Sequence, residues 1–276
     1  MGKCIIIRGG GDIATGVIQK FHRAGFNVLI LETQTPTAIR RSVALCEAAY
    51  DGIKTVEDCT CHKISGLDEL KDTWKKGIIP LIIDPDGNCI NKLKPSAVID
   101  AIIAKRNTGT AKNMADITIA LGPGYIAGVD VNAVIETNRG HDLGRLILKG
   151  QAAQNTGVPG EIAGESKQRV IHASFEGIIK HTKSIGSIVE NGEVLFTLES
   201  KDPGGASSAI TEVTAPIGGL LRGLIRNGIK VSKGLKIADI DPRNDVDYNK
   251  ISDKARCIGG ATLEAYFFLH GTYGEA

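Results

Sequence analysis

A chain of 276 residues is long enough for two domains and a substantial core. Its 33 basic and 31 acidic side chains nearly cancel, so charge argues against nucleic acid or a membrane surface as partner, and no apolar run approaches a bilayer-spanning length. The N-terminus shows no charged-then-apolar leader, and six cysteines in a chain this long make no disulfide framework, so a cytoplasmic protein is the expectation.

The chain opens with an apolar strand, Cys4-Ile5-Ile6-Ile7, that runs into Arg8-Gly9-Gly10-Gly11-Asp12-Ile13-Ala14-Thr15-Gly16. Gly9-x-Gly11-x-x-Ala14 matches the dinucleotide fingerprint with alanine in third place. A glycine turn followed by a helix start offers free N–H groups to an anion. Gly9, Gly10, Gly11, Asp12, Ala14 and Thr15 are therefore expected around a phosphate. A second strand, Asn27–Leu31, ends in Glu32 about 20 residues past the loop, where such folds place a ribose-binding acid. Thr35 before Pro36 predicts an N-cap with proline at the first helical position, and Arg40 and Arg41 in the second turn of that helix are candidates for phosphate contact.

Cys59-x-Cys61-His62 is the only cysteine cluster. With no second cluster to complete a tetrahedral site, it reads first as an ordinary strand or loop with incidental thiols, a metal- or selenium-handling role being the alternative, and no metal is assigned. Leu67–Lys76 has the spacing of an amphipathic helix. Ile78–Ile83, Ala97–Ile103 and Ile117–Leu121 are further apolar strands, the last ending at Gly122-Pro123-Gly124. Apolar strands separated by helical stretches predict a parallel sheet covered on both faces, with ligands beyond the carboxyl ends of its strands. Glu32, Asp84, Asp100, Gly122 and Gly124 stand at those ends. A polar basic loop, Lys105–Thr110, precedes the last strand. After it, Glu136-Thr137-Asn138-Arg139-Gly140-His141-Asp142-Leu143-Gly144-Arg145 crowds two arginines suited to clamping phosphate with a histidine able to carry protons. His141 is the candidate catalytic acid or base; an internal salt-bridge cluster that pins the loop is the other reading.

The second half is duplicated. Ala173, Gly177, Gly186, Val189 and Gly192 recur at Ala215, Gly219, Gly228, Val231 and Gly234, a constant offset of 42 residues. Glycine-punctuated short strands make this an all-β module, and Val170–Ile240 resembles the biotinyl/lipoyl hammerhead. Carrier members of that family place a lysine beside methionine at the central hairpin. Lys201 lacks the methionine, so no covalent biotin or lipoate is expected. The join, Lys149–Gly164, is glycine-rich and is expected to pack against the rim. Ser252 is a natural N-cap for a final helix that returns to the first domain.

Taken together, Arg8–Gly16, Leu121–Gly124, Ile135–Arg145, Gly157–Ile162 and Ile251–Gly260 resemble the accessory proteins of the selenium-dependent molybdenum hydroxylase system, the YqeB type. The expected fold class is α/β: a Rossmann-like parallel sheet over 1–164, a small hammerhead (barrel-sandwich hybrid) over 165–242, and a helical segment over 243–276. The resemblance implies a maturation factor for such a hydroxylase, with a molybdopterin dinucleotide or other dinucleotide, a phosphate-bearing nucleotide precursor, or a selenium-transfer intermediate as ligand. The glycine loop would hold the pyrophosphate, Glu32 a ribose, and Arg40, Arg41, Arg139 and Arg145 the phosphate charge. The hydroxylase client is the expected partner, with a homo-oligomer open. An NAD(P)-dependent oxidoreductase using His141, and a non-enzymatic scaffold, are the alternatives.

Overall fold

The computed structural model describes residues 3–154, 164–165, 168–201 and 208–273. The chain forms two compact units. Met1–Pro36, Val43–Thr156 and Lys250–Ala276 make the first; Thr37–Ser42 and Gly157–Asn249 make the second. No helix among the described residues is long and apolar enough to cross a membrane.

The first unit runs β1 (Cys4–Arg8), α1 (Asp12–Arg23), β2 (Asn27–Glu32), α2 (Ala48–Asp51), β3 (Ile53–Val56), β4 (Cys59–Lys63), α3 (Leu70–Lys75), β5 (Ile79–Ile83), α4 (Ile90–Leu93), β6 (Ala97–Asp100), β7 (Ile117–Leu121), β8 (Ala133–Ile135) and β9 (Leu146–Ile147). These strands form one nine-stranded sheet in the order β3-β4-β5-β2-β1-β6-β7-β8-β9. The strands from β4 to β8 are parallel, while β3 and β9 close the two edges antiparallel. Ile5, Ile6, Ile7, Leu29, Ile30, Val98 and Ile99 are fully buried, because the middle of the sheet is covered on both faces.

One of those covers comes from far away in sequence. α5 (Asp253–Tyr273) packs against α1, β7 and β8. Its approach to α1 is possible only without side chains at the crossing. A Cβ on Gly16 would stand 2.3 Å from the Ala255 carbonyl, and one on Gly259 would stand 2.4 Å from that of Gly16. Beyond the crossing, Tyr266 meets Phe21 and Phe26 edge-on at 5.7 and 5.0 Å between ring centres, the favoured geometry for aromatic pairs.

The second unit holds β10 (Val170–His172), β11 (Gly177–His181), β12 (Ile188–Val189), β13 (Val194–Lys201), β14 (Ser208–Thr214), β15 (Gly219–Leu224), β16 (Lys230–Val231) and β17 (Lys236–Asp241). They form two four-stranded antiparallel sheets, β10-β17-β15-β12 and β14-β13-β11-β16. The 42-residue shift carries one sheet onto the other, and hydrogen bonds follow it. Gly192 N–H donates to Ala215 O and Gly234 N–H to Ala173 O, both at 2.8 Å. Gly186 N–H donates to Leu221 O and Gly228 N–H to Ile179 O. Ile179, Phe196, Leu198, Leu221, Ile237 and Ile240 fill the core. At its polar end Arg169 pairs with Asp239, and Arg222 bridges Asp239 and Asp241, each contact at 2.7 Å. Such buried carboxylates stand only because they are paired.

The topology corrects the expected fold class. A Rossmann-like parallel sheet wrapped by crossover helices is replaced by a wide mixed sheet with antiparallel edges, and the segments joining β6 to β7 and β7 to β8 contain no α-helix. The parallel order survives because α5 covers β7 and β8 where crossover helices would otherwise sit. The second unit is two separate antiparallel sheets rather than a hammerhead. The helix expected at Pro36 is absent: the first helical turn after β2 is a 3-10 turn at Arg41–Val43, and Thr37–Ser42 is instead a strap of the second unit. Leu224 N–H donates to Ile39 O at 2.8 Å, and the strap's Ser42 hydroxyl to Tyr248 O at 2.7 Å. The Gly157–Ile162 motif and the Lys201 side chain lie outside the described residues.

Candidate functional site

Sheet order places the candidate site. From β1 the chain crosses through α1 to β2 on one side, while β6 pairs on the other, so the strand order reverses between β1 and β6. Open sheets bind ligands beyond the carboxyl ends of the strands at such a reversal. The glycine loop lies there, and its three glycines have different reasons to be glycine. Gly9 has φ +94°, a left-handed conformation, and its Cβ would stand 3.1 Å from the backbone of Ala101 and Ile102. A Cβ on Gly10 would stand 3.0 Å from Cys46 N, because Cys46 N–H donates to Gly10 O at 2.8 Å. Gly11 has ordinary φ −64° and nothing within 4 Å of its Cβ position. Neither conformation nor packing requires a glycine at that position.

The loop's amides divide likewise. Gly9 N–H donates to Leu31 O, and Gly10 N–H to Glu32 Oε2, both at 2.8 Å. Glu32 Oε1 accepts the Thr33 N–H, so the carboxylate expected to hold a ribose fastens the glycine loop to the end of β2. It is buried, which pushes its carboxyl up from the ordinary value against the pull of the Thr33 and Gly10 donors. Thr15 is fully buried; its hydroxyl donates to Gly11 O at 2.9 Å and accepts from Leu45 N. Ala14 belongs to the core. Gly11 is the N-cap of α1, no side chain caps that helix, and Asp12 is the acidic residue of its first turn.

Behind the loop lies a buried polar network that sequence inspection did not assemble. Arg8, 2% exposed, lies 3.7 Å from Asp100 and donates to the Thr110 hydroxyl and to Pro85 O. Thr110 and Tyr125 hydroxyls donate to Asp100 Oδ2 at 2.6 and 2.7 Å. Burial, then the Asp100 charge, raises the Tyr125 hydroxyl pKa and keeps it a donor. Arg8 Nε is buried without a partner among the described residues. Arg8 thus ties the end of β1 to the loops after β5 and β6. The signal was visible: an arginine and an aspartate each ending an apolar strand need partners once buried.

The remaining expected residues are dispersed or already engaged. Gly122 and Gly124 allow close approach of Thr137 and of Arg106, whose atoms would stand 2.6 and 2.5 Å from added Cβ atoms. Arg139 grips Asp253 through two hydrogen bonds of 2.9 and 3.0 Å, and Arg145 pairs with Asp142 at 3.3 Å. Glu136 is buried and accepts the N–H groups of Thr137, Asn138 and Ala153, each at 2.7 Å. His141 sits on an exposed turn. Arg40 and Arg41 belong to the second unit, where Arg41 Nε donates to Leu224 O at 2.7 Å. Among the described residues Lys105 and Arg106, in the loop after β6, are in no ion pair. Their own backbone lies against Gly124. That loop holds Ile103 and Lys105 at φ +56° and +62°, a conformation that costs non-glycine residues energy.

Cys59 and Cys61 alternate with Thr60 and His62 on β4, so both thiols point into the core while His62 faces outward. Burial pushes the Cys59 thiol up to about 12. Among the described residues no group of three metal-binding side chains converges.

No family model matches the chain. It is 45% identical over 266 residues to the uncharacterized protein YqeB of Escherichia coli K12, covering 96% of this chain and 47% of that protein. The chain therefore spans about half the length of the curated relative it matches. Among solved structures, a succinylglutamate desuccinylase from Silicibacter sp. is 13% identical with a TM-score of 0.27, covering 87% of this chain and 84% of that one. An aspartoacylase family protein from Mesorhizobium loti is 12% identical with a TM-score of 0.29 over the same shares. Scores this low do not establish a shared fold.

Proposed function

As the chain is homologous to YqeB along nearly its whole length, we propose that it is a YqeB-type accessory factor that holds a phosphate-bearing ligand at the glycine loop. The observation that carries the reading is Gly11. The glycines beside it are dictated by backbone conformation and contact, whereas at Gly11, the N-cap of α1, neither demands that the side chain be missing. A glycine at that place lets a phosphate oxygen reach the helix amides, where the helix dipole favours it. Lys105 and Arg106, in the loop after β6 whose start lies against Gly9, would supply the cations. Asp12 opposes a bare anion, so a magnesium-bound phosphate suits the loop better than a free one.

The resemblance of the long motifs to the selenium-dependent molybdenum hydroxylase system supplies the rest of the proposal: a molybdopterin dinucleotide or its nucleotide precursor as ligand, and a hydroxylase as client. The oxidoreductase reading has less support. Glu32 is engaged by Gly10 and Thr33, and His141 stands on an exposed turn. Calorimetry of the purified chain with magnesium against CTP, molybdopterin cytosine dinucleotide, NAD and NADP tests the proposal. Binding of the cytidine ligands above the nicotinamide ones is expected; if no member of the panel binds, the proposal fails.

A further inference from the structure

The sheet edges of the second unit are unequal. β10, β12 and β16 are three, two and two residues long, whereas β14 runs for seven. The 42-residue shift sets Val170–His172 of β10 on Glu212–Thr214 of β14, and among the described residues the stretch from Ser208 to Thr211 has no counterpart strand in the other copy. Val170 and Ile171 are buried at 7% and 8% exposure, but Ala209, Ile210, Thr211 and Glu212 are all exposed, Ile210 at 62%. β14 pairs with β13 along its whole length, from Val194 opposite Thr214 to Lys201 opposite Ser208. On its other side no strand lies among the described residues.

An open edge presents a row of unpaired backbone N–H and C=O groups on which another extended chain can pair. Proteins usually blunt such edges by shortness, proline, lysine or a bulge. The other edges of this unit are short. β14 has no proline and no lysine, one carboxylate, and a run of β-branched residues that favours strand pairing.

We propose that β14 is a self-association edge, on which the β14 of a second copy adds antiparallel about a twofold axis and joins two sheets into one. The strand complements itself. With the axis at Thr211, that residue meets its own copy, Ala209 lies opposite Val213 of the partner subunit, and Ile210 lies opposite Glu212 of the partner subunit. No two like charges stand directly opposite. The row that ends at this edge alternates apolar and acidic side chains: Ile178 is opposite Glu199, and Glu199 opposite Ile210. Pairing carries that row across the axis.

Light scattering on the purified chain tests the assignment. A mass of twice 29.2 kDa is expected at micromolar concentration. Ala209→Lys and Ile210→Lys, both on exposed positions, are expected to weaken the dimer at least about tenfold with unchanged circular dichroism. Thr211→Cys, with the exposed Cys257 replaced by serine, is expected to cross-link copies under mild oxidation. A chain that stays monomeric, a dimer indifferent to both lysines, or a dimer that fails to cross-link at Thr211→Cys overturns the proposal.

Discussion

Replacing Gly11 with serine is expected to make the protein more stable and a poorer binder. The backbone at Gly11, φ −64° and ψ −178°, suits any residue, and nothing lies within 4 Å of the added Cβ. Serine is a better N-cap than glycine by a few tenths of a kcal/mol, and α1 has no side-chain cap to lose. Removing a glycine also restricts the unfolded chain, which contributes about 0.4–1 kcal/mol. The sum is about 0.5–1.5 kcal/mol, or a rise of roughly 1–3 °C in melting temperature for a chain of this size. The same hydroxymethyl group occupies the space through which a phosphate reaches the helix amides, so affinity should fall at least about tenfold, equivalent to about 1.4 kcal/mol. Scanning calorimetry and titration of the cytidine ligands read the two effects on one sample. Gly10→Ser is the control: its Cβ would stand 3.0 Å from Cys46 N, and a loss of about 1–3 kcal/mol is expected. A Gly11→Ser protein that melts lower would show that the fold does need this glycine. One that binds as well as its parent would refute the placement of the ligand.

Other outcomes follow from packing and charge. Gly16→Ala, which sets a Cβ 2.3 Å from the Ala255 carbonyl, is expected to cost about 3 kcal/mol or more in urea unfolding; a smaller loss would mean that α5 yields easily. Arg8→Met leaves Asp100 buried without its guanidinium partner and should cost about 3–5 kcal/mol, whereas Tyr125→Phe should cost only about 1–3 kcal/mol for one buried hydrogen bond. Equal losses would contradict a network centred on the ion pair. The Arg23 guanidinium, bonded at 2.7 Å, holds the Asp58 carboxyl down to about 2, below its ordinary 3.8. A depressed folded value means stability that is complete above the unfolded pKa and lost as pH falls through the folded one. Asp58→Asn should therefore destabilise the protein at pH 7 and converge with its parent near pH 2; a gap that widens in acid would exclude this origin.

Much of the first unit's start was legible because its causes are local. Four apolar residues, a glycine turn and a helix stripe determine β1, the loop and α1 within about 20 residues. What escaped depended on partners chosen by the sheet. Glu32 looked free for a ribose, yet the parallel register of β1 and β2 carries it to Gly10 N–H. Arg139 looked like a phosphate clamp, yet Asp253, on the far side of the second unit in sequence, takes both ends of its guanidinium. Arg41 was assigned to a helix by Thr35 and Pro36, but tertiary bonding of Ile39 to Leu224 holds that stretch as a strap. The fold class failed for a related reason. Lys105–Thr110 was correctly a loop, which left β6 and β7 without a crossover helix, and only α5 supplies the missing cover.

The seam of Gly16 and Gly259 has a consequence for biosynthesis. α1 emerges from the ribosome early, but its glycine-faced side finds its complement only when α5 has been made. At about 5–20 residues per second, the stretch from Arg23 to Asp253 takes on the order of ten seconds or longer. During that time the whole second unit is translated while the first still lacks a wall over β7 and β8. The first unit therefore closes last although it is begun first.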